Sequence, residues 1–322
     1  MKIQTILEPL REDLRRVERR LREAPMVEEH AVLTEAIDHL FSSGGKRLRP
    51  ALVLLVSRFY QAASERTIAL AAAVEMLHTA TLVHDDLIDG SLMRRGSPTL
   101  NARWSPGATV LTGDYLFARA AHLAAQTQSV RVMDIFAHTL MIICTGELRQ
   151  LFDRSEATLV REAYYRRIYA KTASLFALST EAAAVLGGAP EDEIAAMREY
   201  GHQLGMAFQI VDDILDFVGD ERTMGKPAGS DLRQGVITLP TLYYLEWHPE
   251  DPIVGSVLNG HRDAETVAQA VQRIRESGAV EAAREEARAF AQRSRQALRA
   301  FPDEPPRQAL WGLADFVVER SL

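Results

Sequence analysis

Helical periodicity runs through almost the whole chain and limits what it can fold into. Five segments, about Glu65–Asp89, Gly107–Gln126, Ser129–Phe152, Leu159–Leu186 and Glu191–Val218, repeat apolar residues at helical spacing. Each is apolar over a wide arc, as expected of a helix surrounded by other helices, and several reach the upper end of ordinary globular helix lengths. The pattern predicts an all-α protein, a large helical bundle around a central cavity. Ahead of these segments, Ile3, Ile6, Leu7, Leu10, Leu14, Val17 and Leu21 form an apolar stripe on an amphipathic helix. That helix packs on the body or on a partner subunit, because its polar face mixes signs too evenly for a membrane-surface helix. A second helix is expected over Val27–Phe41, and a third from about Pro50 to Tyr60. Shorter amphipathic helices are expected over Ala264–Glu276, Ala279–Phe301 and Pro306–Arg320. No alternating strand pattern bounded by hairpin turns is present, and Gly96-Ser97-Pro98 and Gly187-Gly188-Ala189-Pro190 read as loops. No linker or abrupt change of composition divides the chain, so residues 1–322 read as a single domain.

The net charge of −7 and the lack of a basic stripe argue against a nucleic-acid surface. Cys144 is the only cysteine, which excludes an intrachain disulfide and suits a reducing compartment. The N-terminus lacks the apolar core of a signal peptide, and no uninterrupted apolar run reaches the ~20 residues of a membrane span. The expected location is the cytoplasm.

Within this apolar background one acidic signature occurs twice, as Asp85-Asp86-Leu87-Ile88-Asp89 and as Asp212-Asp213-Ile214-Leu215-Asp216. Carboxylates one turn apart on a helix repel each other. Burying one without a partner costs more, so such groups are paired or bound to metal. Asp85 and Asp89 share a helical face, as do Asp212 and Asp216. Two such clusters facing each other would hold hard divalent cations and, through them, a polyanion. Mg²⁺ suits this arrangement, since it takes a few carboxylates and completes its shell with water and substrate phosphates.

Cations lie near these motifs. Arg94-Arg95 follows the first, and guanidinium makes forked hydrogen bonds to phosphate. In Gly44-Gly45-Lys46-Arg47-Leu48-Arg49-Pro50, basic residues open a helix against its dipole, which a bound anion would explain. The spacing is not that of a Walker P-loop. His78, two turns before Asp85, reads either as a core histidine or as an anion donor. Lys171-Thr172 interrupts an apolar helix, Gln209 sits one turn before Asp213, and Gly225-Lys226-Pro227 with Asp231 forms a loop able to close over phosphate.

Taken in order, GGKRLRP, HDDLID followed by MRRG, Gly113-Asp114, the Lys-Thr pair, FQIVDDILD and GKPAGSDLRQGVITLP resemble the trans-isoprenyl diphosphate synthases, or polyprenyl synthetases, over roughly residues 30 to 320. The resemblance implies an all-α prenyltransferase, usually a homodimer, that condenses an allylic diphosphate with isopentenyl diphosphate using Mg²⁺. It assigns Asp85, Asp89 and Asp212 to metal holding the allylic diphosphate, with Asp86, Asp213 and Asp216 supporting that shell and Asp216 counted among the metal residues. Arg94, Lys171 and Lys226 would contact the allylic diphosphate. Lys46, Arg49, His78 and Arg95 would contact isopentenyl diphosphate, while Thr172 and Gln209 line the reacting centre. One departure is Val236 in Gly235-Val236-Ile237-Thr238, where short-chain members usually carry lysine.

Two rivals stand beside this reading. A class I terpene cyclase shares the bundle and the first motif, but it has no second diphosphate for GGKRLRP and Arg95. A non-catalytic partner subunit would not need intact Asp motifs or Lys171. Product length follows from residues before the first motif. Where short-chain members place a Phe or Tyr, four or five residues before the first Asp, this chain has Thr81 and Ala80. Ala80 is either a packing residue or an absent floor. In the second case Met76, Leu77, Leu123 and Phe136 are candidates for a deeper stop, and the expected product is C30 to C50, with geranylgeranyl (C20) as the alternative.

Overall fold

The computed structural model describes residues 3–23, 31–42, 45–60, 62–94, 96–152, 160–219 and 228–320. Helices account for nearly all of its regular structure. The long segments fall where periodicity places them, at Ser64–Ile88, Pro106–Ala125, Val130–Phe152 and Glu191–Val218. Their ends follow from local chemistry. Ser105 caps the second of these helices with Pro106 in its first turn, and Gly188 (φ +74°) lies in the connection after Leu186.

Four local features depart from the sequence reading. The N-terminal stripe is not one helix: Pro9 sits in a 3₁₀ turn, Glu8–Leu10, between Ile3–Leu7 and Arg11–Arg22. Ile6, Leu10, Val17 and Leu21 are nevertheless all buried. The segment expected as a continuous helix from Leu159 to Leu186 is broken by a π-turn, Tyr169–Ala173, between Arg161–Ile168 and Ser174–Leu186. There the Ser174 amide reaches back five residues to the Tyr169 carbonyl. Met93–Arg94 and Ser97–Pro98, the latter read as part of a loop, pair as a two-stranded antiparallel hairpin. Gly96 supplies a φ of +78° in its turn, a conformation that glycine adopts without a Cβ clash. Short helices at Leu100–Arg103, Ser230–Gln234, Leu239–Trp247 and Pro252–Leu258 were not marked by periodicity.

The chain divides into two compact units, Met1–Leu140 with Leu175–Arg198 and Phe301–Leu310, and Met141–Ser174 with Glu199–Ala300 and Trp311–Leu322. In the first, Ser64–Ile88 is the central helix. It packs against Arg11–Arg22, Leu48–Ser57 and, most extensively, Pro106–Ala125. Its residues from Thr67 to Leu77 are all buried. This is the one helix among the described residues that is long and apolar enough to cross a membrane, and most of that stretch is buried within the protein. Close packing on Pro106–Ala125 depends on Gly113, where a Cβ would come within 2.1 Å of His84 Nε2. In the second unit, Ala279–Ala297 packs against Leu239–Trp247 and Ala264–Glu276.

Candidate active site

The first acidic motif ends the central helix of the first unit. Asp86 is buried and points inward, Asp85 is half-buried and Asp89 is exposed. Burial of Asp86 is compensated by Arg94, carried back toward it by the hairpin. Arg94 Nε lies 2.9 and 3.0 Å from the two Asp86 oxygens and Nη2 lies 2.8 Å from Oδ1. The Arg94 side chain stays 39% exposed. Sequence reasoning gave Arg94 to substrate; the structure adds that Asp86 orients it. Arg95 lies outside the described residues.

The second motif lies in the last turns of Glu191–Val218 and repeats the arrangement of the first two aspartates, a half-buried one followed by a buried one. Asp213 is buried, accepting the Tyr164 hydroxyl at 2.7 Å and the Gln209 amide nitrogen at 2.8 Å. Burial pushes its carboxyl up to about 7, with the charge of Asp231 adding to the rise, while the Gln209 and Tyr164 hydrogen bonds oppose it. The relay continues to Thr172, whose hydroxyl donates to Gln209 Oε1 at 2.5 Å. Thr172, Gln209 and Asp213 thus form one hydrogen-bonded chain, joined by Tyr164, which its sequence position does not advertise. Tyr164 is wholly buried, and its phenol is pushed well above the ordinary tyrosine range by burial and by Asp213.

Asp212 is half-buried and pairs with Arg320 Nη1 at 2.9 Å. Arg320 also donates to the Phe208 carbonyl at 2.9 Å and lies 4.0 Å over the Phe208 ring. Asp216 is buried; its Oδ2 accepts the Asp231 amide at 3.1 Å and its carbonyl accepts the Gly229 amide at 2.9 Å. It therefore ties the turn after the helix to the motif. Lys226 lies outside the described residues.

Lys171 stands in the π-turn, and its Nζ lies 3.2 Å from Glu147 Oε1. A π-turn inside a helix is a frequent mark of a functional position. The two segments approach closely because Gly146 faces Ala170, where a Cβ would sit 2.5 Å from the Ala170 Cβ. Neither the turn nor Glu147 carries a signal that periodicity can read.

In the first unit, Lys46 is exposed and Arg49 and His78 are half-buried, with the Arg49 guanidinium 4.9 Å over the Phe176 ring. An open cleft of about 430 Å³ brings Lys46 to Leu7, Arg11, Leu14 and Glu18 of the N-terminal segment; neither Asp motif lines it. The residues singled out for product length are buried: Leu77 and Ala80 at 0%, Thr81 at 9%, Leu123 at 4% and Phe136 at 3%.

Among the described residues no three His, Cys, Asp or Glu side chains converge to cage a metal. Carboxylates spaced one helical turn apart still fit Mg²⁺, which binds through one or two carboxylates and keeps water and phosphate for the rest of its shell. That donor set offers only hard oxygen ligands.

The chain is 39% identical over 321 residues, all of both chains, to heptaprenyl diphosphate synthase component 2 of Geobacillus stearothermophilus. A polyprenyl synthase from Caulobacter crescentus, solved with calcium and isoprenyl diphosphate, superposes with a TM-score of 0.92 at 38% identity, covering 99% of this chain and 98% of that one. A decaprenyl diphosphate synthase from Rhodobacter capsulatus gives 0.91 at 39% identity, covering 99% of each. The polyprenyl synthetase family matches residues 30–274. The matched span holds both Asp motifs, the basic turn and the Lys-Thr pair, and the chain belongs to the polyprenyl synthetase family of prenyltransferases.

Proposed function

We propose that the chain is an Mg²⁺-dependent all-trans polyprenyl diphosphate synthase, acting as one catalytic domain in the cytoplasm. It adds isopentenyl diphosphate head to tail (1'-4) onto an allylic diphosphate and releases diphosphate. The observation that carries this reading is the shared build of the two motifs. In each, the second Asp is buried and held by named donors, Arg94 for Asp86 and Tyr164 with Gln209 for Asp213. The Asp before it is only half-buried.

Asp85, Asp89, Asp212 and Asp216 would hold the metal. Bound Mg²⁺ supplies positive charge for the departing diphosphate. Arg94, Lys171 and Lys226 bind and orient the allylic diphosphate; Lys46, Arg49, His78 and Arg95 bind isopentenyl diphosphate. Fixed cations aimed where charge develops stabilise the transition state without reorganising. Thr172 and Gln209 line the reacting centre, and the apolar helices keep water from the allylic cation. No side chain in these motifs stands out as a general base, and the family resemblance gives the proton to the released diphosphate.

A long product, C30 to C50, is supported by small residues at Ala80 and Thr81 and by the heptaprenyl and decaprenyl names of the relatives. A homodimer suits the exposed apolar side chains Leu111, Met141 and Leu148. The relative named as a second component favours one alternative, a chain that works with a different partner. The test is to incubate the purified chain with allylic diphosphate, labelled isopentenyl diphosphate and Mg²⁺, and to chromatograph the dephosphorylated products. A labelled C30–C50 ladder is expected. An unlabelled hydrocarbon would identify a cyclase, and turnover only on adding a second chain would identify a component.

A further inference from the structure

Arg47 occupies the left-handed region, with φ 47° and ψ 40°, one of two described non-glycine residues with positive φ. That conformation is sterically unfavourable for a residue with a Cβ, so its surroundings must hold it there. Arg47 sits inside the basic turn, between Lys46 and Arg49, where its carbonyl accepts the Ala51 amide at 3.0 Å and opens the helix Leu48–Ser57. Its guanidinium is turned inward and its side chain is 10% exposed. Nη1 lies 2.9 Å from Glu75 Oε1, Nη2 lies 3.4 Å from the Phe41 carbonyl, and Nε lies 3.7 Å from Glu18.

Glu75 is as unusual as its partner. It is 6% exposed in the middle of the central helix, on a stretch otherwise made of Ala, Val, Leu and Met. A buried ion pair recovers its desolvation cost poorly, and apolar residues of similar volume often serve stability as well. Such a pair is better suited to fixing register. Glu75 lies one turn before His78 and ten residues before Asp85 on the same helix. Arg47 therefore anchors the basic turn to the helix that carries the first motif.

We infer that the Arg47–Glu75 pair is the positioning element of the isopentenyl diphosphate site. It holds the turn in its left-handed conformation and thereby places Lys46 and Arg49 relative to His78, without itself binding the diphosphate. The inference rests on the reading of the basic turn as that site. It also divides the labour among three neighbouring cations: Arg47 is neutralised internally, and Lys46 and Arg49 serve the anion.

The variants Arg47→Met, Glu75→Gln and their double combination test it, with Lys46→Ala as control. The readouts are calorimetric Kd for isopentenyl diphosphate, KM for each substrate, kcat and Tm. Each single variant should weaken isopentenyl diphosphate at least tenfold in Kd and KM, and leave the allylic KM within about twofold. The double variant should be no worse than Arg47→Met, because the two residues act as one unit. If Arg47→Met does not fold, Arg47→Lys, which keeps the buried charge and loses the fork, should show the same selective rise. Wild-type-like Kd in folded Arg47 and Glu75 variants, with Lys46→Ala impaired, overturns the positioning role alone. Wild-type-like Kd in Lys46→Ala overturns the reading of the turn and the inference with it. Equal loss for both substrates overturns the inference by showing a general structural role.

Discussion

The buried carboxyl of Asp213 predicts how the metal-free chain responds to pH. It titrates at about 7, against an ordinary 3.8, chiefly because burial disfavours its charged form. Between those two values the folded chain holds a proton that the unfolded chain has released. The folded state binds more protons, so stability falls as pH rises through that window and levels off above the folded pKa. At 1.36 kcal/mol per pH unit, the penalty grows from about 2 kcal/mol at pH 5 to about 4 kcal/mol at pH 8. Asp213→Asn keeps the side-chain volume and removes the titration. It should therefore gain roughly 2 kcal/mol on wild type between pH 5 and pH 8. The assay is urea unfolding of both proteins in EDTA at fixed protein concentration and four pH values, reading the difference between the curves. Titrating groups that do not interact with Asp213 cancel in that difference. A difference that stays flat within about 0.5 kcal/mol, or slopes the other way, refutes the argument that burial governs this carboxyl.

Three further outcomes are expected. Asp85→Ala or Asp212→Ala should lower kcat by several orders of magnitude while the circular dichroism spectrum is kept; near-wild-type turnover would remove the metal assignment. Ala80→Tyr should shorten the product to about C15–C20 and leave the first condensation intact, as read by chromatography of dephosphorylated products; an unchanged distribution would reject the small-residue account of length. Arg320→Gln should cost about 1–2 kcal/mol in urea unfolding of the metal-free chain. The full price of breaking a buried pair is not reached, because the Asp212 side chain is 40% exposed and can turn toward water.

What could be read from the sequence, and what could not, divides along the range of the interactions involved. The long helices were legible because Ala, Leu and Val repeat at 3.6 residues and because Pro, Ser and Gly mark several ends. Both Asp motifs were legible because a carboxylate in an apolar run demands an explanation within its own segment. The π-turn was not, since one extra residue per turn changes backbone bonding without changing composition. The hairpin at Met93–Pro98 was missed because two-residue strands have no alternation to detect.

The partners of the motifs were hidden for a different reason. Tyr164 is 49 residues from Asp213, Glu147 is 24 from Lys171, and Arg47 is 28 from Glu75. Nothing local in Tyr164 separates a structural phenol from one that supports a carboxylate. Glu75 was passed over as well, although an acid inside Ala71-Ala72-Ala73-Val74-Glu75-Met76-Leu77 poses the same question as the Asp motifs. A single carboxylate there cannot chelate a metal by itself, so the economical answer is a cation from another segment. The nearest cations of the basic turn stand in a run of three, and sequence alone gives no reason to set one apart. The backbone does: the left-handed φ at Arg47 turns one member of the run inward, and that conformation becomes visible only in the folded chain.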